Sequence, residues 1–322
     1  MYKRPIEGAK KILKVCLGVK SGESVTVVTE ESTLKYVIPF LDAAKELNLD
    51  RMMVVMPDIK FNGEEPSKNV QQAMMLSEVL ILATNLSIST IDALKEAQKK
   101  GIRIFSIPSF TSESLVKGPI EADFLKIKGV IRTVASLMSK TKIVNVKTEN
   151  GSDLTFSLEG RSGNAHDALA LEPGTFKSMS VEANIAPLEN SANGILMVDV
   201  ASPTNVNHLL EPPLKITFKE GLIVKIEGSD DAVRLQRFLD EIGDKNVFRI
   251  AELGIGLNPS STLTGHHYIE DESVMGTAHI GIGRNTSIEG TTQAKGHFDL
   301  IFKRPDIYFD NVRIMKDGKL EI

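Results

Sequence analysis

The fold of the N-terminal half is decided by residues 79–108, which read VLILATNLSISTIDALKEAQKKGIRIFSIP. Two short apolar runs, VLILA and IRIFSI, flank a segment that opens with serine and threonine residues and closes with Gly101. Apolar runs of this length are typical of strands buried on both faces, and a polar start and a final glycine are typical ends of a helix. Strand, helix and strand in this order predict one crossover unit of a parallel sheet.

The same alternation extends over the first 140 residues. SVTVVTE (24–30) and RMMVVMP (51–57) predict further strands, while residues 6–18 and 34–49 carry apolar residues at helical spacing. We therefore predict an α/β, Rossmann-like domain with a parallel sheet over residues 1–140. The sequence has neither a GxGxxG loop after a strand nor a GxxxxGK(S/T) loop, so we expect this domain to be a scaffold rather than a nucleotide site.

The pattern changes from about residue 142. Stretches such as KIVNVKT, DLTFSLEG, GILMVDV and LKITFKEGLIVKIEG are typical of strands. One clear helix is predicted at residues 229–243, which begin with a serine and two aspartates. We therefore predict that residues 141–322 form a β-rich α+β domain, which we expect to carry a metal-binding catalytic site.

Composition excludes several classes of partner. The chain has 322 residues, 42% hydrophobic and 25% charged, with a net charge of −4 and one cysteine. It has no basic run for nucleic acid and no apolar run long enough for a membrane. The single Cys16 cannot form an internal disulfide, and its helical apolar surroundings predict a buried side chain. Since the N-terminus lacks the apolar core of a signal peptide, we expect a cytoplasmic protein.

Two histidines and a carboxylate lie close together in GTAHIGIGRNTSIEGTTQAKGHFDL (276–300). On a strand, His297 and Asp299 project to the same face. An imidazole and a carboxylate on one face can share a divalent cation, and the simpler alternative is a structural His–Asp hydrogen bond. His279 has small neighbours that let a ligand or another backbone approach, with a core histidine as the alternative.

Carboxylates in apolar surroundings occur in three segments upstream. VEANIAP holds Glu182 and RIAELGIGLNP holds Glu252. YIEDESVMG holds Glu270 and Glu272, which would share a face if the segment is extended, although an acidic triplet is usually a solvated turn. Burying a carboxylate is costly unless it is paired or coordinated. These acids therefore join the histidines as candidate metal ligands.

The combined set matches a catalytic centre better than a structural zinc site. Its members are Glu182, Glu252, Glu270 or Glu272, His279, His297 and Asp299. Six ligands are about what two adjacent cations need, since carboxylates can bridge them and a water between them becomes a nucleophile. Oxygen and nitrogen donors without a thiolate suit Zn, Co, Mn or Fe.

In this order, VEANIAP, AELGIG, EDESVMGTAHIGIG and HFD resemble the aminopeptidase T family of metallopeptidases. The resemblance implies an N-terminal α/β domain, a β-rich catalytic domain with two divalent metals, and a homodimer. The metal ligands that it implies are Glu182, Glu252, Glu272, His279, His297 and Asp299.

The sequence departs from the peptidase pattern in three ways. Glu272 stands further before His279 than in the peptidases, so Glu270 stays open as the ligand. The tyrosine that follows the histidine strand in the peptidases is missing, and Tyr268 is the only tyrosine nearby. The interval from His279 to His297 is also shorter.

The chain is also similar to the dihydroxypyridine ring-cleaving dioxygenases, which have a shorter form of the same fold and use one non-haem Fe(II). This resemblance implies a facial triad of His279, His297 and Asp299. Glu182 and Glu252 would then support the iron ligands or bind substrate.

The main functional prediction is a metal-dependent, aminopeptidase-like hydrolase. Two divalent cations, Zn, Co or Mn, would activate water to cleave an N-terminal peptide bond, with Glu182 or Glu270 moving the proton. The alternative is a mononuclear Fe(II) ring-cleaving dioxygenase, and a third is a non-enzymatic protein that kept the fold.

Polar residues outside the ligand set are expected to bind a small peptide or another small molecule. The glycine-rich stretch EGRSGNAHDALALEPG offers Arg161 and Asn164, and Tyr268 precedes the acidic triplet. A surface loop is the alternative for the first two. The same stretch contains His166. His208 is expected to be structural, and His266 and His267, in a turn-like setting, are expected not to bind metal.

Overall fold

The computed structural model describes residues 4–60, 62–89, 91–205, 208–265 and 268–322. The chain packs as two compact units. The first comprises Met1–Lys126 and Asp167–Ser180, and the second comprises Ile127–His166 and Val181–Ile322. No helix in the described ranges combines the length and the apolar character that a bilayer crossing requires.

Helices and strands alternate at first and strands then dominate. The helices are α1 (Pro5–Lys11), α2 (Leu34–Glu46), α3 (Lys68–Met74), α4 (Asp92–Lys99), α5 (Phe124–Lys140), α6 (Asp230–Ile242) and α7 (Tyr268–Ser273). The first strands are β1 (Ser24–Glu30), β2 (Asp50–Met56), β3 (Val79–Ala83), β4 (Arg103–Ile107), β5 (Ile143–Lys147), β6 (Asp153–Ser157), β7 (Asn164–His166), β8 (Phe176–Ser178) and β9 (Glu182–Ile185). The later strands are β10 (Asn193–Val198), β11 (Leu214–Lys219), β12 (Leu222–Glu227), β13 (Ile250–Gly256), β14 (Thr277–Gly283), β15 (His297–Lys303), β16 (Asp306–Phe309), β17 (Val312–Lys316) and β18 (Lys319–Leu320).

The first unit contains a parallel sheet with strand order β2-β1-β3-β4-β8. Every residue of β3 and β4 is buried, as the apolar runs predicted. Between them, α4 presents Ala93, Leu94 and Ala97 to a core that includes Leu80 and Ile104. The predicted parallel sheet is therefore confirmed. Its fifth strand, β8, was not predicted.

The second unit contains two antiparallel sheets. The larger has the order β12-β11-β10-β6-β5-β16-β17-β18, and the smaller has the order β15-β14-β13-β9-β7. All seven residues of β13 and all seven of β14 are buried, so the middle of the smaller sheet is covered on both faces. The β-rich character predicted for this half is thus correct.

The packing units do not coincide with the predicted ranges 1–140 and 141–322. Helix α5 contributes its first three residues to the first unit and the remainder to the second. The segment 167–180 returns to the first unit because β8 pairs with β4 there. The boundary near residue 140 between two independent domains stays a prediction.

Candidate metal centre

The candidate ligands project from one face of the smaller antiparallel sheet. Glu182 lies on β9, Glu252 on β13, His279 on β14, and His297 and Asp299 on β15. Side chains alternate between the two faces of a strand, and the strand register brings these five to the same face. The opposite face carries the aliphatic residues that fix the sheet in the core, among them Leu253, Ile255, Ala278 and Ile280.

Glycines make room for these polar side chains. Each ligand lies opposite a glycine in a strand pair: Glu182–Gly256, Glu252–Gly281, His279–Gly254, His297–Gly283 and Asp299–Gly281. A Cβ added to Gly254 would overlap the imidazole of His279. The glycines of β13 and β14 therefore leave room above the sheet for the ligand side chains. Any larger residue at these positions would occupy that room.

The five side chains form two groups that share one carboxylate. Ligand atoms of Glu182, Glu252 and His279 lie within 4.8 Å of one another, and so do those of Glu252, His297 and Asp299. His279 Nε2 is 3.3 Å from Glu182 Oε2 and 3.6 Å from Glu252 Oε1. His297 Nε2 is 3.1 Å from Glu252 Oε2 and 3.2 Å from Asp299 Oδ1. Glu252 is thus the centre of the cluster.

The orientation of His297 is fixed by the backbone. Its Nδ1 donates a hydrogen bond of 2.7 Å to the carbonyl oxygen of Arg284, which can only accept. Nε2 therefore faces the carboxylates of Glu252 and Asp299. Ionised carboxylates only accept hydrogen bonds, so Nε2 must carry either a proton or a cation. An imidazole held in this way by a carbonyl is the usual arrangement of a metal-binding histidine.

The charges of the cluster shift its pKa values strongly. Burial raises the pKa of Glu182 to about 7. Burial alone would lower the pKa of His279, but the carboxylate of Glu182 and the hydrogen bond to Glu252 raise it to about 10. Asp299 and Glu252 likewise outweigh burial and raise the pKa of His297 well above its usual value. Burial would raise the pKa of Glu252, yet hydrogen bonds with the two imidazoles bring it below its usual range. The carboxylates of the cluster therefore favour the protonated form of both imidazoles.

The donor set fits a divalent cation. Glu182 Oε2 is buried and lacks a hydrogen-bond partner among the described residues. Glu182, Glu252 and His279 are almost completely buried, whereas the side chain of His297 is 28% exposed. The group of Glu252, His297 and Asp299 therefore has an accessible side on which a substrate can bind. Imidazole and carboxylate donors suit Fe, Mn, Co or Zn.

The acidic triplet does not contribute to either group. Glu270 and Glu272 would share a face only in an extended segment, but both lie in helix α7, where Glu270 is in the favourable first turn. Glu270 Oε1 accepts a hydrogen bond of 3.2 Å from the backbone N–H of Thr262. The assignment of Glu272 as a ligand, with Glu270 as its alternative, thus lacks support in the described geometry.

The triad His279, His297 and Asp299 is not the grouping that the structure forms. His279 lies with Glu182 and Glu252, whereas His297 and Asp299 lie on the other side of Glu252. The strand register explains this arrangement, because Glu252 and Asp299 both lie opposite Gly281, whereas His279 lies opposite Gly254, two residues further along β13 toward the Gly256–Glu182 pair.

The predicted substrate-binding residues have different surroundings. Arg161 donates a hydrogen bond of 2.7 Å to Glu189 Oε2, and both side chains are largely buried, so this guanidinium stabilises a loop rather than a pocket. Asn164 lies on β7 directly opposite Asn184, on the face that carries Glu182. The side chain of Tyr268 lies outside the described residues.

Four histidines named in the sequence remain. His166 lies on β7 opposite Glu182 and belongs to neither ligand group. His266 and His267 lie outside the described residues. His208 contacts Asp231, with 3.2 Å between Nε2 and Oδ2, and belongs to neither group. Sequence reasoning missed Asn184, although its position two residues after Glu182 in VEANIAP was a signal that both side chains share a face.

Comparison with known proteins distinguishes between the two resemblances. The NicX family, described as 2,5-dihydroxypyridine 5,6-dioxygenase, matches residues 6–322. A 2,5-dihydroxypyridine 5,6-dioxygenase of Pseudomonas putida is 25% identical over 193 residues, which cover 57% of this chain and 55% of the relative. The matched region thus spans about half the length of that curated relative.

Two solved structures have the same fold. The 2,5-dihydroxypyridine dioxygenase of Pseudomonas putida KT2440 matches with a TM-score of 0.83 and 20% identity, covering 98% of this chain and 96% of the other. AmpT of Thermus thermophilus matches with a TM-score of 0.71 and 13% identity, covering 99% of both chains. At these identities the similarity shows the fold alone.

The family match corrects the main functional prediction. An aminopeptidase-like hydrolase is wrong as the description of this chain, because the matching family consists of dioxygenases and the likeness to AmpT shows only a shared fold. Enzymatic function itself, with a metal, agrees with the family and with the clustered ligands. The chain belongs to the 2,5-dihydroxypyridine 5,6-dioxygenase family.

Proposed function

We propose that this protein is an iron(II)-dependent dioxygenase that cleaves the ring of a dihydroxypyridine. The family match supports the reaction class, which by its name acts at the bond between C5 and C6 of the ring. The observation that carries the proposal is the convergence of Glu252, His297 and Asp299 from two strands of one sheet. The number and identity of the metal ions are part of the proposal, and we propose one iron per chain.

Glu252, His297 and Asp299 would hold the iron, with one nitrogen and carboxylate oxygens as ligands. The usual iron(II) facial triad has two histidines and one carboxylate, whereas here the carboxylate of Glu252 takes the place of one imidazole. Three protein ligands still leave coordination positions for oxygen and substrate. Iron(II) bound there would supply the centre at which dioxygen and the hydroxylated ring exchange electrons. The hydrogen bond from His297 to Arg284 would keep Nε2 directed at that centre.

Glu182 has the properties of a proton acceptor for a substrate hydroxyl. Its pKa is raised to about 7 because the side chain is buried, so it can gain or lose a proton near neutral pH. Its Oε2 lies beside the cluster and has no hydrogen-bond partner among the described residues. We propose that Oε2 accepts the proton that a ring hydroxyl loses, while the imidazole of His279 stabilises the neighbouring carboxylate charge.

The direct experiment is oxygen uptake by the iron-loaded protein. Protein purified without oxygen and supplied with Fe(II) should consume one O2 for each 2,5-dihydroxypyridine lost, with both followed in the same sample. His297→Ala should lose both the iron and the reaction. His208→Ala is the matched control, since His208 belongs to neither group, and it should keep both. Iron-loaded protein that leaves the pyridine and O2 unchanged would contradict the proposal.

The expected homodimer and small-molecule substrate also remain proposals. Light scattering coupled to size-exclusion chromatography measures the oligomeric state. The oxygen-uptake experiment tests the small-molecule substrate.

A further inference from the structure

Two asparagines form a polar pair beside the candidate metal centre. Asn164 on β7 and Asn184 on β9 lie directly opposite each other in the antiparallel register. Opposite residues of such a pair point to the same face, with their Cβ atoms roughly 5 Å apart. Asn184 Nδ2 donates to Glu182 Oε1, which places this pair on the face that carries the ligands.

The hydrogen bond to Glu182 orients the amide of Asn184. Its Nδ2 donates a hydrogen bond of 2.9 Å to Glu182 Oε1, and a carboxamide carries its nitrogen and its oxygen on opposite sides. The carbonyl oxygen Oδ1 must therefore point away from Glu182. This oxygen is buried and has no hydrogen-bond partner among the described residues, and the residue as a whole is 3% exposed. Asn184 thus holds a fixed acceptor on the site face.

Asn164 adds a donor to the same region. Its Nδ2 is buried and likewise has no partner among the described residues, although it faces Asn184 across the strand pair. Buried polar atoms are nearly always hydrogen-bonded, so two of them on adjacent residues require an explanation. A ligand that offers a donor to Asn184 Oδ1 and an acceptor to Asn164 Nδ2 would satisfy both.

We infer that Asn164 and Asn184 bind the lactam edge of a 2-pyridone, in which a ring N–H lies next to a C=O. This inference rests on the proposed function, because 2,5-dihydroxypyridine presents this edge as its pyridone tautomer. The N1–H donates to Asn184 Oδ1, and the oxygen on C2 accepts from Asn164 Nδ2. A carboxamide and a lactam are complementary because each offers one donor and one acceptor.

The register also places the reacting edge of such a ring. C5 lies opposite C2 in the six-membered ring, so a ring held at N1 and C2 directs its C5 hydroxyl away from the asparagines. Asn184 pairs with Gly254, two residues from Glu252 on the next strand. Diagonal neighbours of this kind have Cα atoms roughly 7–8 Å apart, which one ring with its two oxygens can bridge. The subsite therefore turns the C5 hydroxyl, rather than N1 or C2, toward Glu252.

Ligand discrimination by the unmodified protein tests the subsite. 2-Methoxy-5-hydroxypyridine keeps the 5-hydroxyl but has neither the N–H nor the C=O of the lactam edge. Iron-loaded protein under nitrogen should bind 2,5-dihydroxypyridine about tenfold to a hundredfold more tightly than the methoxy compound, because the latter leaves both amides unpaired. Equal affinity for the two compounds would overturn the inference without any variant.

A variant then assigns the discrimination to the asparagine. Asn184→Leu keeps the size of the side chain and should abolish the preference while the iron content stays the same. Asn145→Leu on the larger sheet is the matched control and should keep the preference. A persistent preference in Asn184→Leu, with normal turnover of 2,5-dihydroxypyridine, overturns the subsite alone. A wild-type protein that fails to turn over 2,5-dihydroxypyridine overturns the proposed function together with the subsite.

Discussion

Gly281 and Glu252 face each other across the β13–β14 pair so closely that a Cβ on Gly281 would lie 2.7 Å from the Cβ of Glu252. The same added carbon would lie 2.8 Å from His297 Cε1 and 3.0 Å from Asp299 Oδ1. One glycine therefore keeps open the space that all three proposed iron ligands share. Its role is steric, because a side chain there would separate the ligands.

Gly281→Ala should therefore weaken iron binding without unfolding the sheet. We expect the affinity for Fe(II) to fall by about 10–100-fold, the range seen when the support of a metal ligand is disturbed. Gly129→Ala is the control, since an added Cβ there meets nothing within 4 Å. That control lies in helix α5 and should be neutral or more stable by up to about 1 kcal/mol. Metal titration and thermal unfolding measure both, and unchanged affinity in Gly281→Ala would contradict the steric role.

Glu252 and Glu272 give opposite expectations for metal content. Glu252 belongs to both ligand groups, whereas Glu272 belongs to neither. Glu252→Gln should remove most of the iron, because a neutral amide oxygen is a weaker ligand than a carboxylate oxygen. Glu272→Gln should keep one iron per chain. Elemental analysis of the two purified variants decides the point, and loss of metal from Glu272→Gln would restore the ligand assignment made from the sequence.

Iron binding should depend on pH, because protons occupy the ligands of the metal-free protein. The pKa of His297 is raised well above its usual value by Asp299 and Glu252, despite burial, so a proton competes with iron for Nε2. Iron must displace that proton, and its affinity should fall by about tenfold for each pH unit lowered while one proton is released. Titration calorimetry in buffers of different ionisation enthalpy counts the protons. A pH-independent affinity would show that Nε2 is already free.

The fold was predictable wherever the pattern was local. Residues 79–108 gave two buried strands and a helix in the right order, because burial on both faces leaves a continuous apolar run. Strand β8 has only three residues and exists through its pairing with β4, so no local pattern indicates it. The sequence left open whether Glu270 and Glu272 lie on an extended segment, because two glutamates on alternate positions do not determine a strand, and Tyr268–Ser273 is helical.

The site was predictable as a set of residues but not as an arrangement. The i and i+2 spacing places His297 and Asp299 together without any knowledge of the fold, and His297 Nε2 indeed lies 3.2 Å from Asp299 Oδ1. The two groups around Glu252 depend on how β9, β13, β14 and β15 pair with one another. These pairings join separate parts of the sequence, so no local pattern reveals them. The grouping of His279 with Glu182 therefore required the structure.

Glu189 should contribute to stability rather than to catalysis. Its carboxylate accepts hydrogen bonds from Arg161, from the backbone N–H of Thr291 and from Asn285, so it joins three separate loops. Glu189→Gln should lower the free energy of unfolding by about 1–2 kcal/mol, since hydrogen bonds to a charged group are lost. Glu159→Gln, which removes only an exposed ion pair with Lys142, should change it by less than about 0.5 kcal/mol.

The contribution of Glu189 should disappear in acid. Although burial opposes it, hydrogen bonds from Thr291 and the charge of Arg161 lower the pKa of Glu189 to about 2, below the ordinary value of 4.5. A lowered folded-state pKa means that the unfolded chain binds the proton more tightly, so the stabilisation is complete above pH 4.5 and is lost as the pH falls toward about 2. Urea unfolding at pH 7, 5 and 4 should therefore show a constant difference between wild type and Glu189→Gln down to pH 5 and a smaller one at pH 4. A difference that grows as the pH falls would mean that the carboxylate destabilises the folded loops.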